Sequence, residues 1–392
     1  MGPRLWTRAR KHRRSRSPLT LMRDLFHLPS GGPYLLSHSV GCLPRRARAA
    51  LEAGYLEPWQ QTGGAAWGPW LETIEGFRAA LAVLIGADTA EVAPQQSVSA
   101  ALFSFLSGLR AVGGRNRILM SEQAFPTVGF VAAGLERLGF ETAFIPAARS
   151  PGDVANWESH IDGSVAAVVA MHVHSNTGVV SPLAEIAALA RHHGAISVVD
   201  AAQSAGILPI TPREWGVDAV IGSSVKWLCG GPGAAWLWLR RELASVIEPL
   251  DLGWFGHEDP YAFDIRHFRH AADARRFQGG SPSIAPFALA RAGIETILEI
   301  GQDEILRGNR ACIAAFAEAV GRPVDMTDRG GTLCLTFDDP AAIASALSAQ
   351  GFHFDMRGKC LRASFHAWNS PEEAALLGRT IADTRLAFRP AA

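Results

Sequence analysis

The sequence is poor in cysteine, has no long apolar run and carries no net charge, and each shortage argues against a class of protein. Its five cysteines, Cys42, Cys229, Cys312, Cys334 and Cys360, are odd in number and show no CxxC or Cys/His metal spacing, which argues against a disulfide framework or a zinc site. Such usage fits a reducing compartment, so a cytoplasmic location is expected. The longest apolar runs, such as residues 164–171, fall far short of the ~20 residues that span a bilayer. Lys+Arg and Asp+Glu balance at 37 each, leaving no overall field to recruit nucleic acid or a membrane surface. No Gly-x-Gly-x-x-Gly turn opens a strand–helix unit, which counts against a nicotinamide-dependent enzyme.

What is present is bulk and alternation. With 392 residues, 48% of them hydrophobic, the chain can bury a large core and form two or three domain-sized units. The first 17 residues carry Arg4, Arg8, Arg10, Lys11, Arg13, Arg14 and Arg16 without an acid. A nucleic-acid arm or transit peptide is one reading. The reading adopted is a disordered basic tail over 1–21, or an upstream start codon with Met22 the true start. Beyond it, apolar strands at 117–120, 142–145, 166–173, 195–199, 219–222 and 234–239 alternate with helical patterns at 128–138 and 183–193. That alternation predicts an α/β fold with a largely parallel sheet covered by helices on both faces. The character changes near Leu250, and residues 261–277 are rich in His, Arg and aromatics. Helix resumes after Pro282, with Ile294, Ile297, Leu298 and Ile305 as apolar positions. The end reads as a small α+β unit: strands at 332–337 and 360–364, helices at 341–350 and 371–387, the last opened by Pro371 with Ser370 as its cap.

The chemistry concentrates at Asp200-Ala201-Ala202-Gln203 and Ser223-Ser224-Val225-Lys226. An acid leaves one buried strand and a lysine follows another, 26 positions later (226 − 200). In a parallel sheet both project from the carboxyl edge, where ligands bind. Pyridoxal-phosphate (PLP) chemistry needs this pair: an amine to form a Schiff base with the cofactor, and a carboxylate to pair with the pyridinium nitrogen so that the ring serves as an electron sink. Either residue alone is better explained as a cap or a solvated charge. The small and apolar neighbours of Lys226, among them Trp227, Leu228 and Gly230-Gly231-Pro232-Gly233, suit a desolvated amine of lowered pKa.

Asp-x-x-Gln followed by Ser-x-x-Lys resembles the signature of the class V PLP enzymes of the aspartate aminotransferase fold (fold type I), which include cysteine desulfurases, isopenicillin N epimerase and kynureninases. Trp215-Gly216-Val217-Asp218, Lys226 to Ala234, Leu252-Gly253-Trp254-Phe255-Gly256-His257 and Arg276 to Pro282 resemble the kynureninase-like branch most closely. The resemblance runs from about Tyr34 to Leu386. It implies a PLP-binding large domain at 67–290, preceded by an N-terminal segment at 22–66 and followed by a small domain at 291–392. It also implies roles. Ser97 and Val98 would hold the phosphate at a helix N-terminus, although Ser97 suits an ordinary N-cap equally well. Phe125 would stack on the cofactor ring, Gln203 would bond its phenolic oxygen and Ser223 its phosphate. Trp254 and Ser281 would complete the phosphate site, commonly across a dimer interface. Arg362, in Leu361-Arg362-Ala363-Ser364-Phe365-His366, would bind the substrate α-carboxylate through paired donors. His38 and Ser39 stand in the family's opening motif, and His174, paired with His172 on one strand face, lies where the pyridine ring sits; all three are candidate substrate contacts.

Three departures bear on the reaction. The resemblance would place His at Gln203, Tyr at Val225 and Asp at Val128. Loss of the tyrosine hydroxyl tells against hydrolytic carbon–carbon cleavage. For a desulfurase, Cys334 and Cys360 fall in strands rather than on a mobile loop. The expectation is therefore a PLP enzyme on an amino-acid substrate, kynureninase-like, cleaving the side chain as a lyase or hydrolase. An aminotransferase stands close behind, and an epimerase or C–S lyase after it. A non-catalytic relative would have lost Lys226 or Asp200. The expected partner is a second copy of the chain, with residues 254–282 crossing the interface.

Overall fold

The computed structural model describes residues 22–109 and 115–391. The basic tail at 1–21 lies outside the described residues.

Seven strands form the main sheet: β1 (Val92–Gln95), β2 (Arg117–Ser121), β3 (Glu141–Ile145), β4 (Val165–Met171), β5 (Ile196–Asp200), β6 (Ala219–Ser223) and β7 (Ala235–Leu239). Their order is β1-β7-β6-β5-β4-β2-β3. Every strand from β2 to β6 pairs in parallel, whereas β7 runs antiparallel to both β6 and β1. The helices include α1 (Trp67–Ile85), α2 (Val98–Ser107), α3 (Pro126–Gly134), α4 (Leu183–His192) and α5 (Ala285–Ile300). Because strand side chains alternate, the sheet feeds two cores. Val168, Ala170, Val199 and Trp236 pack with α1, α4 and α5. Ala167, Val169, Val198 and Leu237 pack with α2 and α3. All seven residues of β4 are buried, as a central strand covered on both faces requires.

The C-terminal unit is a four-stranded antiparallel sheet of β8 (Thr332–Phe337), β9 (Asp355–Arg357), β10 (Cys360–Ser364) and β11 (Phe388–Pro390), ordered β9-β10-β8-β11. It is covered by α6 (Gln302–Val320), α7 (Pro340–Ala349) and α8 (Pro371–Asp383), with Phe316, Leu335 and Leu377 in its core. Ser370 caps α8 through a reciprocal box with Glu373, worth ~1 kcal/mol.

Two boundaries differ from expectation. Helix α5 runs unbroken across position 290, packing Phe287 on Phe77 of α1 at 4.9 Å; Gly301, at φ +88°, separates α5 from α6. Helix α8 ends at Asp383 rather than 387, because the chain reverses at Arg385 (φ +58°) and lays Phe388 against Phe337.

Candidate active site

The carboxyl edge of the parallel strands is where the sheet delivers its polar residues. Asp200 ends β5 and Ser223 ends β6, three residues before Lys226. A cavity of about 180 Å³ opens between them, lined by Val98, Ser99, Phe125, Thr127, Met171, Val173, Ser175, Asp200, Ala202, Gln203, Ser223 and Lys226.

The turn that carries Lys226 is tightly held. Ser224 N–H donates to Ala234 O (3.0 Å), Gly230 N–H to Ser224 O (2.7 Å) and Cys229 N–H to Lys226 O (3.0 Å). Gly41 N–H reaches Val225 O at 2.8 Å, and a Cβ at Gly41 would lie 2.2 Å from Lys226 O, so only glycine fits there. Underneath, His366 stacks between Trp227 (5.7 Å) and Trp368 (4.3 Å). Its Nδ1 accepts from Ala367 N–H and its Nε2 donates to Trp227 O. Burial pushes this imidazole down to about 4, so it is neutral and braces the turn without charge.

Among the described residues the Lys226 amine has no hydrogen-bond or ion-pair partner; its Nζ stands 5.6 Å from the centre of the Phe125 ring. Burial pushes this amine below its ordinary value, Arg362 and Arg357 act in the same direction, and Asp200 opposes them. Asp200 is 5% exposed and accepts one bond, from Ala202 N–H at 2.8 Å. Burial raises its pKa, with Lys226 and the Ala202 amide pulling it back. A buried carboxylate with one donor and a buried amine without a partner face the same cavity. That pattern fits a cationic ring nitrogen against Asp200 and an aldehyde carbon at Lys226.

The cavity's other end is built for an anion. The N-termini of α2 and α3 converge there, and Ser99 Oγ meets Thr127 Oγ at 3.1 Å; helix N-termini and hydroxyls are phosphate donors. Ser223 Oγ accepts from Val225 N–H at 3.4 Å and keeps its own proton for an anion. Ser97 caps α2 by accepting from Ala100 N–H at 3.0 Å and does not line the cavity, whereas Val98 does. Gln203 lines it and donates to His38 O at 3.1 Å.

Other candidates lie elsewhere. Trp254 donates to Ser281 Oγ at 3.1 Å, away from the Lys226 cavity of the same chain. Ser39 is exposed and its backbone N–H bonds Leu36 O. His38 is 1% exposed; its Nδ1 pairs with Ser364 Oγ at 2.5 Å and its Nε2 stands 3.5 Å from Asp355. His174 is directed away from the cavity: it pairs with Gln123 O (3.2 Å) and Ser181 Oγ (3.3 Å). His172 packs on Trp215 at 4.6 Å. Met171, Val173 and Ser175 take the cavity face instead, so alternation turns both histidines away from it into buried surroundings. Arg362, 4% exposed, donates to Ser175 O at 3.1 Å and pairs with Asp355 through Nε (2.8 Å) and Nη2. Thr127 and Ser175 had no assigned role in the sequence reading; Thr127 directly follows Pro126 at the start of α3, a placement that signals a helix N-terminus.

Fold and site together define a PLP enzyme of fold type I. The chain belongs to the class-V aminotransferase family, whose profile matches residues 69–325. It is 32% identical over 317 residues to the uncharacterized aminotransferase YcbU of Bacillus subtilis, covering 79% of this chain and 83% of that one. It is 30% identical over 359 residues to the kynureninase of Pseudomonas fluorescens, covering 86% and 85%. Among solved structures, a lysine-to-alanine variant of C-DES with glycine covalently linked to its PLP cofactor superposes with a TM-score of 0.80 at 24% identity, covering 91% of this chain and 98% of that one. The protein is accordingly a PLP-dependent enzyme acting on amino acids. Among the described residues no cluster of metal-ligating side chains occurs and no helix is long and apolar enough to cross a membrane.

Proposed function

We propose that the chain binds PLP through Lys226 and cleaves the side chain of an L-amino acid in the manner of the kynureninase-like branch. The observation that carries the reading is a single cavity holding Lys226 and Asp200, with the buried guanidinium of Arg362 bonded to one of its lining residues, in a chain that matches a kynureninase over 86% of its length. Bound PLP supplies an electron sink for charge developing at Cα. The residues do the rest. Asp200 would face the ring nitrogen, Phe125 the ring, and Gln203 and Ser223 its oxygens. Arg362 would orient the α-carboxylate. Lys226, its pKa lowered by burial, would be positioned to take the Cα proton. Trp254 and Ser281 would serve the site of a second copy in a homodimer. Tyr261, Phe263 and Ile265, exposed by 52%, 75% and 98%, lie in the same segment and would be covered there.

Amino-group transfer is the second reading, favoured by Val225, which puts no hydroxyl beside Lys226, and by the match to YcbU. A desulfurase reading gains little: Cys360 lies in strand β10, its Sγ 3.6 Å from Asn176 O. Titrating the PLP-loaded protein with L-kynurenine, L-cysteine and L-alanine separates the two main readings. A visible band that changes and returns, with a cleaved fragment in solution, supports side-chain cleavage. Permanent bleaching with release of a keto acid would replace it with transamination.

A further inference from the structure

Arg362 is held from the neighbouring strand. Strand β9 pairs with β10 in a register that sets Asp355 directly across from Arg362. A single Asp355 oxygen accepts from both Nε and Nη2, while Nη1 donates to Ser175 O at 3.1 Å. A guanidinium has five N–H donors. Three are engaged, and the two that remain are one each on Nη1 and Nη2. Ser175, which Nη1 touches, also lines the Lys226 cavity.

We infer that Asp355 is a positioning residue: it grips the Nε edge of Arg362 and thereby presents the Nη1 and Nη2 edge to the α-carboxylate of a substrate bound in the Lys226 cavity. A carboxylate is recognised best by two parallel donors on one edge, and a guanidinium free to rotate would offer them only part of the time. Asp355 is itself steadied. His38 Nε2 stands 3.5 Å from it, and the His38 ring is fixed by Ser364 Oγ at 2.5 Å, which in turn meets Thr332 Oγ1 at 3.1 Å. His38 is neutral, pushed down to about 4 chiefly by burial. The hydrogen bond from His38, and after it the Arg362 guanidinium, hold the Asp355 carboxyl well below the usual range, and with His38 neutral the charge partner of Asp355 is Arg362. Asp355 thus also balances a buried cation without occupying its outward edge.

The inference rests on the proposed amino-acid site, and the test separates the two. The PLP-loaded protein is titrated with L-alanine and with ethylamine, which differ by the carboxylate, and each affinity is read from the visible spectrum. Wild type is expected to favour L-alanine. Asp355→Asn keeps the shape of the side chain and removes its charge. It should reduce that preference on the order of tenfold, the weight of one charge-assisted contact, with ethylamine affinity within about twofold of wild type. Asp355→Glu should restore part of the preference. If Arg362→Ala abolishes the preference while Asp355→Asn leaves it unchanged or raises it, Asp355 does not position Arg362 and the inference is overturned. If both ligands weaken equally in Asp355→Asn and its melting temperature drops, the role is structural, and the inference again fails. If Arg362→Ala leaves the preference intact, the reading of the site is wrong and the inference falls with it.

Discussion

Replacing Asp200 with asparagine should move stability and cofactor binding in opposite directions. Asp200 is 5% exposed and has one donor, Ala202 N–H at 2.8 Å. Burial raises its pKa in the fold above the unfolded value of about 3.9. The folded protein then binds the proton more readily than the unfolded chain. Ionisation of this group therefore erodes stability as pH rises from about 3.9 through the folded pKa, at about 1.4 kcal/mol for each pH unit between the two values, and the loss is complete above the folded pKa. Asparagine can still accept from Ala202 and carries no charge. The cofactor-free Asp200→Asn protein should be as stable as wild type at pH 7, or more stable by about 1 kcal/mol, which for units of this size raises the melting temperature by about 2–4 °C. Once PLP is bound, a charge-assisted bond of about 1.5–3 kcal/mol gives way to a neutral one of about 0.5–1.5, so cofactor affinity should fall roughly tenfold. Turnover should fall on the order of a hundredfold or more, as when one preorganised electrostatic partner is removed. Calorimetry of the cofactor-free proteins and equilibrium dialysis against PLP measure both effects. A melting temperature lowered by more than about 4 °C, with PLP affinity unchanged, would show Asp200 to be a structural cap and not a partner of the cofactor.

Three further outcomes follow from the same geometry. His38, His172, His174 and His366 are each pushed down to about 4, chiefly by burial; the stability they contribute is complete above about 6.5 and is lost as pH falls toward 4, at up to about 1.4 kcal/mol per pH unit each. Urea midpoints should therefore drop from pH 7 to pH 5, and a flat profile would contradict their burial as neutral rings. At Gly230 a Cβ would lie 2.6 Å from Ala290 Cα and 2.8 Å from Ser224 Cβ, so Gly230→Ala should destabilise the protein by about 1–3 kcal/mol and loosen its hold on PLP; wild-type melting and PLP affinity would show that the turn is not tightly packed. Ile265→Glu places a charge on a side chain that is 98% exposed and should shift the mass measured by light scattering from dimer to monomer; an unchanged dimer would move the interface elsewhere.

The parts of the fold that could be read in advance are those whose local signal is strong. Strands β4, β5 and β6 are apolar runs because both faces are covered, and β5 ends on Asp200, which lines the cavity. Direction is a tertiary property, so nothing within residues 235–239 announced that β7 runs against its neighbours. Strand β1 is hidden by Pro94, which the sheet tolerates at its edge. Helix α1 is diluted by Gly68, Pro69 and Gly76, residues of low helix propensity. In the site, the Asp200–Lys226 pairing was legible because parallel strands share an edge. The partnership of Arg362 with Asp355 was not, since it depends on the register of a hairpin. The facing of His174 was misleading for a related reason: a period of two places His172 and His174 together but does not say which face is the cavity.

The most direct test of the account is to find which lysine carries the cofactor. The sequence has three, Lys11, Lys226 and Lys359, so the outcome is discrete. The PLP-loaded protein is reduced with borohydride, digested and mapped by mass spectrometry. The cofactor's added mass is expected on the peptide containing Lys226 and on no other, and should be lost in Lys226→Ala. The added mass on Lys11 or Lys359, or undiminished labelling in Lys226→Ala, would contradict that assignment.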